Sequence, residues 1–127
     1  MRLVATANDV EPITDKGGVI HVLVSPKTVG SRNLILGTAT VPVGVTIKTH
    51  VHDYGEESFY VLHGHGKVHL ENAESVEFHP GSAVRIPQGV THSIENTSDE
   101  EVLVVFATAP LAPKAESGHR NLQGDAQ

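Results

Sequence analysis

Four side chains in this sequence have the types and spacing to close around one cation. His50-Val51-His52 is followed after four residues by Glu57, and His92 lies 35 positions further on, in Gly89-Val90-Thr91-His92. Alternate residues of a β-strand point to one face, so His50 and His52 are expected to present two imidazoles side by side. Glu57 and His92 can join them only if the chain folds back, which the glycines around them favour. Three neutral imidazole nitrogens and a carboxylate oxygen suit a divalent transition metal and leave it with a net charge of about +1. An octahedral ion so held keeps two open positions, the property that separates a catalytic centre from a closed structural one. Iron in such a set supports oxygen chemistry, whereas zinc, nickel or manganese acts as a Lewis acid.

Few other side chains are candidates for chemistry. Thr46, Lys48, His50 and His52 share parity on one strand, so Lys48 is expected on the metal-facing side as a general acid or base. The competing expectation keeps its ammonium in water at the barrel mouth. Tyr54 lies in the loop between the ligands and is the expected gate. Alternation nominates Phe59, Val61, Val84, Ile86, Ile94 and Phe106 as apolar lining, which favours an apolar or aromatic substrate over a sugar phosphate. His63, His65 and His69 cluster around glycines without the rigid support that a tight site requires. His63 shares parity with Glu57, Phe59 and Val61 and is expected no nearer than the pocket rim. His21, His79 and His119 have no partner in sequence and are expected in surface or turn roles.

The elements that must carry these residues are strands. Short apolar runs recur at Gly18–Val24, Asn33–Val41, Val45–His52, Ser58–Leu62, Lys67–Leu70, Ala83–Ile86, Thr91–Ile94 and Val102–Ala107, separated by glycine and proline turns. Helical periodicity is absent. Eight or so such strands predict an all-β antiparallel barrel or sandwich. Nothing repeats at a fixed period, and 127 residues suffice for one hydrophobic core. The barrel is expected to span 1–111, with 112–127 a polar, flexible tail.

Composition narrows the function classes. The formal charge of −6 disfavours nucleic acid and anionic membrane surfaces as partners. Without cysteine the chain has no disulfide, thiolate nucleophile or thiolate metal site. The N-terminal residues contain no apolar stretch of the length of a signal peptide or membrane span, so a cytoplasmic location is expected.

The glycines and prolines frame the candidate ligands in a way that resembles the cupin family. The first stretch reads Gly44, five residues, His50-x-His52, four residues, Glu57, six residues, Gly64. The second reads Gly81, five residues, Pro87-x-Gly89, two residues, His92, three residues, Asn96, with 16 residues between the two stretches. Both family motifs are met at each defining position, Ser82 replacing a frequent acid at a turn. The resemblance implies a double-stranded β-helix (jelly roll) with His50, His52, Glu57 and His92 as metal ligands. The gap to Gly64 selects Glu57 over Glu56, whose side chain points the other way in an extended strand. Ahead of these motifs, Val24-Ser25-Pro26-Lys27-Thr28-Val29-Gly30-Ser31 resembles a segment of small cupins from bacterial aromatic-polyketide pathways, which include cyclases and monooxygenases.

The resulting expectation is a mononuclear metal enzyme acting on a small-molecule substrate by cyclisation, isomerisation or oxygenation. The alternative is a non-catalytic sensor or storage module, because the cupin barrel hosts many functions. A homodimer is expected, with the segment before Gly30 as an edge-added or swapped strand that covers exposed edges and a limited core.

Overall fold

A computed structural model describes residues 2–71, 73–113 and 120–121. After a single 3-10 turn at Ala7–Asp9, the described residues form β1 (Val19–Val24), β2 (Ile35–Val41), β3 (Thr46–Val51), β4 (Glu56–His63) and β5 (Gly66–Leu70). They continue with β6 (Val76–Phe78), β7 (Ala83–Ile86), β8 (His92–Asn96), β9 (Val102–Ala109) and β10 (Arg120–Asn121). Two five-stranded sheets result. One runs β1-β2-β9-β4-β7 and the other β10-β3-β8-β5-β6, with antiparallel pairing throughout. This is the all-β jelly roll expected from the sequence.

Strand β4 shows why these residues make this sheet. Glu57, Phe59 and Val61 are buried while Glu56, Ser58, Tyr60 and Leu62 are exposed, the two-residue period of a strand with one face inward. Phe59 and Val61 join Val41, Ile47, Val68, Phe78, Ile86, Ile94 and Val102 in a single core between the sheets. Phe59 meets Phe78 edge to face with ring centroids 5.6 Å apart, a favourable aromatic geometry. The corner from β4 to β5, where the chain changes sheets, falls at Gly64. Its φ of +78° is left-handed, and an added Cβ would stand 2.7 Å from a Val102 methyl. A side chain is excluded on both counts.

Eight of the strands coincide with the apolar runs. Strand β6 has only three residues, with Glu77 between Val76 and Phe78, too short to show a period. Strand β10 lies in the segment expected to be a flexible tail. Arg120 and Asn121 pair with Val51 and His50, and the Arg120 guanidinium donates to the Asp53 carboxylate at 2.6 and 3.0 Å. Residues 114–119, including His119, and 122–127 lie outside the described residues. The segment before Gly30 contributes β1, the edge strand beside β2.

Candidate metal centre

The four side chains singled out by spacing converge at one end of the barrel. His50 and His52 leave the end of β3, Glu57 opens β4 and His92 opens β8. One ligand atom from each lies within 4.8 Å of the others. Ligands about 2.1 Å from a shared ion sit about 3 Å apart in cis and about 4.2 Å in trans, so small side-chain adjustments bring all four onto one cation. Glu57 is buried and His92 is 1% exposed, whereas Glu56 is exposed and accepts a hydrogen bond from the Arg85 guanidinium at 2.7 Å. The structure therefore separates the two adjacent carboxylates as strand alternation requires.

Register explains the convergence. His50 stands across from His92, and Ile47 across from Ile94. Between these pairs β3 has two residues, Lys48 and Thr49, where β8 has only Ser93. This β-bulge lets Ile47 face the core and His50 face the site, although their numbers differ in parity. The expected shared face of Thr46, Lys48, His50 and His52 is thus interrupted. Thr46 is exposed, and Lys48 belongs to the bulge, not to an unbroken alternating row with the ligands. The sequence could not reveal this, because an extra residue in one strand is visible only against its partner.

The bulge also orients a ligand. His50 Nδ1 donates to the Lys48 carbonyl at 2.8 Å, while the Lys48 amide donates to the Lys16 carbonyl at 2.9 Å. His92 repeats the arrangement, its Nδ1 donating to the Val90 carbonyl at 2.9 Å. In each ring a proton on Nδ1 leaves Nε2 as the nitrogen with a lone pair, the usual role of such anchors behind metal-binding histidines. Gly89 braces the approach to His92 from the other side. With φ +78°, it donates its amide to the His52 carbonyl at 2.9 Å.

One atom carries the test of whether these residues fit a metal. His92 Nε2 is buried and has no hydrogen-bond partner, its separation from Glu57 Oε1 being 4.0 Å. Buried polar atoms are rarely left unsatisfied, and a lone pair aimed among two imidazoles and a carboxylate suits a cation. His52 Nε2 and Glu57 Oε1 meet at 2.7 Å and share a proton. Ligation by both would replace that proton.

Electrostatics prepares the same state. Burial pushes His50 down to about 4, reinforced by the neighbouring His92 imidazole and opposed by the Lys48 carbonyl and Glu57. Burial likewise lowers His92. Burial alone would raise Glu57, but the hydrogen bond from His52 and the surrounding imidazoles outweigh it and hold the carboxyl below its usual range. Neutral histidines beside an ionised carboxylate are the protonation states that metal binding requires.

The other expected residues sort by position. Tyr54 is exposed in the loop between β3 and β4. Phe59, Val61, Ile86 and Ile94 are buried core residues, and Val84 and Phe106 pack against them. His69 lies on the outer side of its sheet, hydrogen-bonded to Ser75 and Glu95. His63 is exposed, and His65 contacts Thr97. Asn96, the last motif position, proves to be a clamp. Its amide donates to the Val41 and Glu100 carbonyls at 2.9 and 2.8 Å, and its oxygen accepts from the Ser98 amide and hydroxyl. Spacing marked the residue, but its partners lie in other elements.

A jelly-roll barrel that brings three histidines and a glutamate within 4.8 Å of one another marks a class of small β-barrel proteins with a cluster of residues that could hold a metal. The chain belongs to the cupin family, whose cupin domain model it matches over residues 37–108. It is 34% identical over 123 residues to polyketide synthase CurC of Streptomyces cyaneus, covering 97% of this chain and 79% of that protein. With protein SchB of Streptomyces halstedii it shares 38% identity over 115 residues, covering 88% of this chain and 80% of that one. Its fold superposes on that of the polyketide cyclase RemF from Streptomyces resistomycificus with a TM-score of 0.74 at 21% identity, over 98% of this chain and 88% of that one. The cluster is consistent with a cupin metal site.

Proposed function

We propose that this protein is a mononuclear metal-dependent enzyme that cyclises or oxygenates a small apolar or aromatic molecule of polyketide type. The observation that carries this reading is the orphaned Nε2 of His92 among His50, His52 and Glu57 in a buried site. Similarity to a protein named for polyketide synthesis supports the substrate class. His50, His52, Glu57 and His92 hold the metal, which supplies Lewis acidity or, if it is iron, reactivity toward oxygen. The carbonyls of Lys48 and Val90 keep two of the imidazoles in the ligating tautomer. Burial of Glu57 and His92 keeps water from competing at the centre. Tyr54, on the loop joining two ligand-bearing strands, guards the approach.

Elemental analysis of untagged protein purified without a nickel column tests the first half of this reading. About one equivalent of zinc, iron, nickel or manganese is expected in wild type, and none after replacement of both His50 and His92 by alanine. Oxygen uptake and spectral change with polyphenolic compounds test the second half. Stoichiometric metal with no turnover would favour a binding module, and normal turnover in the double variant would refute the proposed chemistry.

A further inference from the structure

The four cluster residues are not held alike. His50, Glu57 and His92 lie within β3, β4 and β8, whereas His52 stands one residue past the end of β3. Its place depends on the loop of Asp53, Tyr54 and Gly55 that leads to β4. That loop is fastened at several points. The Gly89 amide donates to the His52 carbonyl at 2.9 Å, and the Gln88 side-chain amide donates to the Asp53 carbonyl at 2.6 Å. Gly55 is buried, and an added Cβ there would stand 2.9 Å from the Pro110 carbonyl oxygen. These contacts come from the turn before β8 and from the residue after β9.

A further fastening comes from a strand outside both cupin motifs. Strand β10 borders β3 on the side opposite β8, with Arg120 across from Val51 and Asn121 across from His50. From there the Arg120 guanidinium donates to both carboxylate oxygens of Asp53, at 2.6 and 3.0 Å. Such a two-pronged contact fixes direction as well as distance. Both side chains reach solvent, so the pair adds little to global stability. What it holds is local: the residue next to His52.

We propose that Arg120 is a positioning residue for the cluster, and that β10 is a latch holding the His52 loop in the ligating arrangement. The inference rests on the metal site of the function proposed above and adds a residue that governs how long the ion is retained. When Arg120 releases Asp53, the loop relaxes and His52 loses its alignment with His50, Glu57 and His92. Charge alone predicts the reverse. A guanidinium in the neighbourhood of a bound cation repels it, so its loss by itself favours retention. Faster release after removal of Arg120 therefore reports lost positioning.

The test follows zinc release from the zinc-loaded full-length protein into excess chelator, and amide hydrogen exchange over residues 50–55 in the metal-free protein. Arg120→Ala is expected to speed zinc release about fivefold, below the range of about 10–100-fold for groups bonded directly to ligands. Exchange over 50–55 is expected to quicken as well, with the metal-free melting temperature unchanged. Arg120→Lys keeps the charge but not the planar fork and is expected to fall between the two. Arg85→Ala removes an equal charge and breaks the 2.7 Å contact with Glu56, beside Glu57 but within paired strands. It is expected to match wild type in both measurements. Unchanged exchange in Arg120→Ala, or zinc release no faster than in wild type, overturns the proposal. So does equal acceleration in Arg85→Ala, or a parallel fall in melting temperature, which would mark a general loss of stability. Protein that never takes up zinc refutes the metal site proposed above, and exchange in the metal-free samples then decides the latch alone.

Discussion

Among the described residues two histidine–carboxylate pairs have the same contact distance. His52 meets Glu57 at 2.7 Å inside the barrel, and His69 meets Glu95 at 2.7 Å on the outer face of a sheet. The inner side chains are 13% and 10% exposed, the outer ones 42% and 39%. At the outer pair both ring nitrogens of His69 are occupied, by Ser75 and Glu95. At the inner pair two further imidazoles close in, and one of them carries a buried lone pair with no partner. Contact distance therefore does not distinguish a site from a surface hydrogen bond. Burial, convergence from three strands and an unsatisfied acceptor do.

The most severe way to probe that contrast is to neutralise each carboxylate. Glu57→Gln removes the only negative ligand and is expected to weaken metal affinity more than a hundredfold, beyond the range of about 10–100-fold seen when mere supporting groups are lost. Glu95→Gln is expected to leave affinity unchanged. Metal titration against a competing chelator measures both. Equal losses in the two variants would erase the distinction between the pairs.

A second difference appears on acidification. In the folded, metal-free protein His50 titrates near 4, against about 6.5 when unfolded. Between these values the unfolded chain binds the additional proton, so stability is complete above about pH 6.5 and falls as pH drops toward 4. The depressed carboxyl of Glu57 acts in the same direction at lower pH, since its contribution holds above the unfolded carboxylate value and is lost as pH falls. For His50 the full loss is on the order of 3 kcal/mol. Urea unfolding of metal-free protein at pH 7.5 and 4.5 is expected to show it, and His50→Gln to reduce the pH dependence. A flat profile in wild type would contradict the buried, neutral state of His50.

The smallest expected effect belongs to the outer pair. His69→Ala is expected to change stability by about 1 kcal/mol or less, as for other exposed ion pairs, with metal content unaltered. Thermal melts and elemental analysis check this. Loss of metal in that variant would give His69 a role that its geometry does not suggest.

Much of this arrangement was legible because strand chemistry is local. The alternation of Glu57, Phe59 and Val61 against Glu56, Ser58 and Tyr60 sets one face of β4 without reference to the rest of the chain. The four side chains that converge in the cluster, and their framing glycines, could likewise be read from spacing. What escaped depended on relations between elements. Strand β6 was too short to show a period, and β10 becomes a strand through pairing with β3. The break in the row of Thr46, Lys48, His50 and His52 escapes the sequence because the bulge at Lys48 and Thr49 exists only relative to Ser93. The role of Asn96 required knowing where Val41 and Glu100 end up.

That bulge implies that residue count conveys information which residue type does not. Two odd-numbered positions ahead of it, Val45 and Ile47, contact the core, and two even-numbered positions after it, His50 and His52, join the cluster. One strand thus speaks in two phases, and the added residue is the punctuation between them. Deleting Lys48 would merge the phases into a regular strand, with Ile47 and His50 still opposite Ile94 and His92. Each of the four side chains would survive, but the Lys48 carbonyl that accepts the proton of His50 Nδ1 would be gone. A chain with all four metal-binding residues intact is therefore expected to hold its ion more weakly through a change in counting alone.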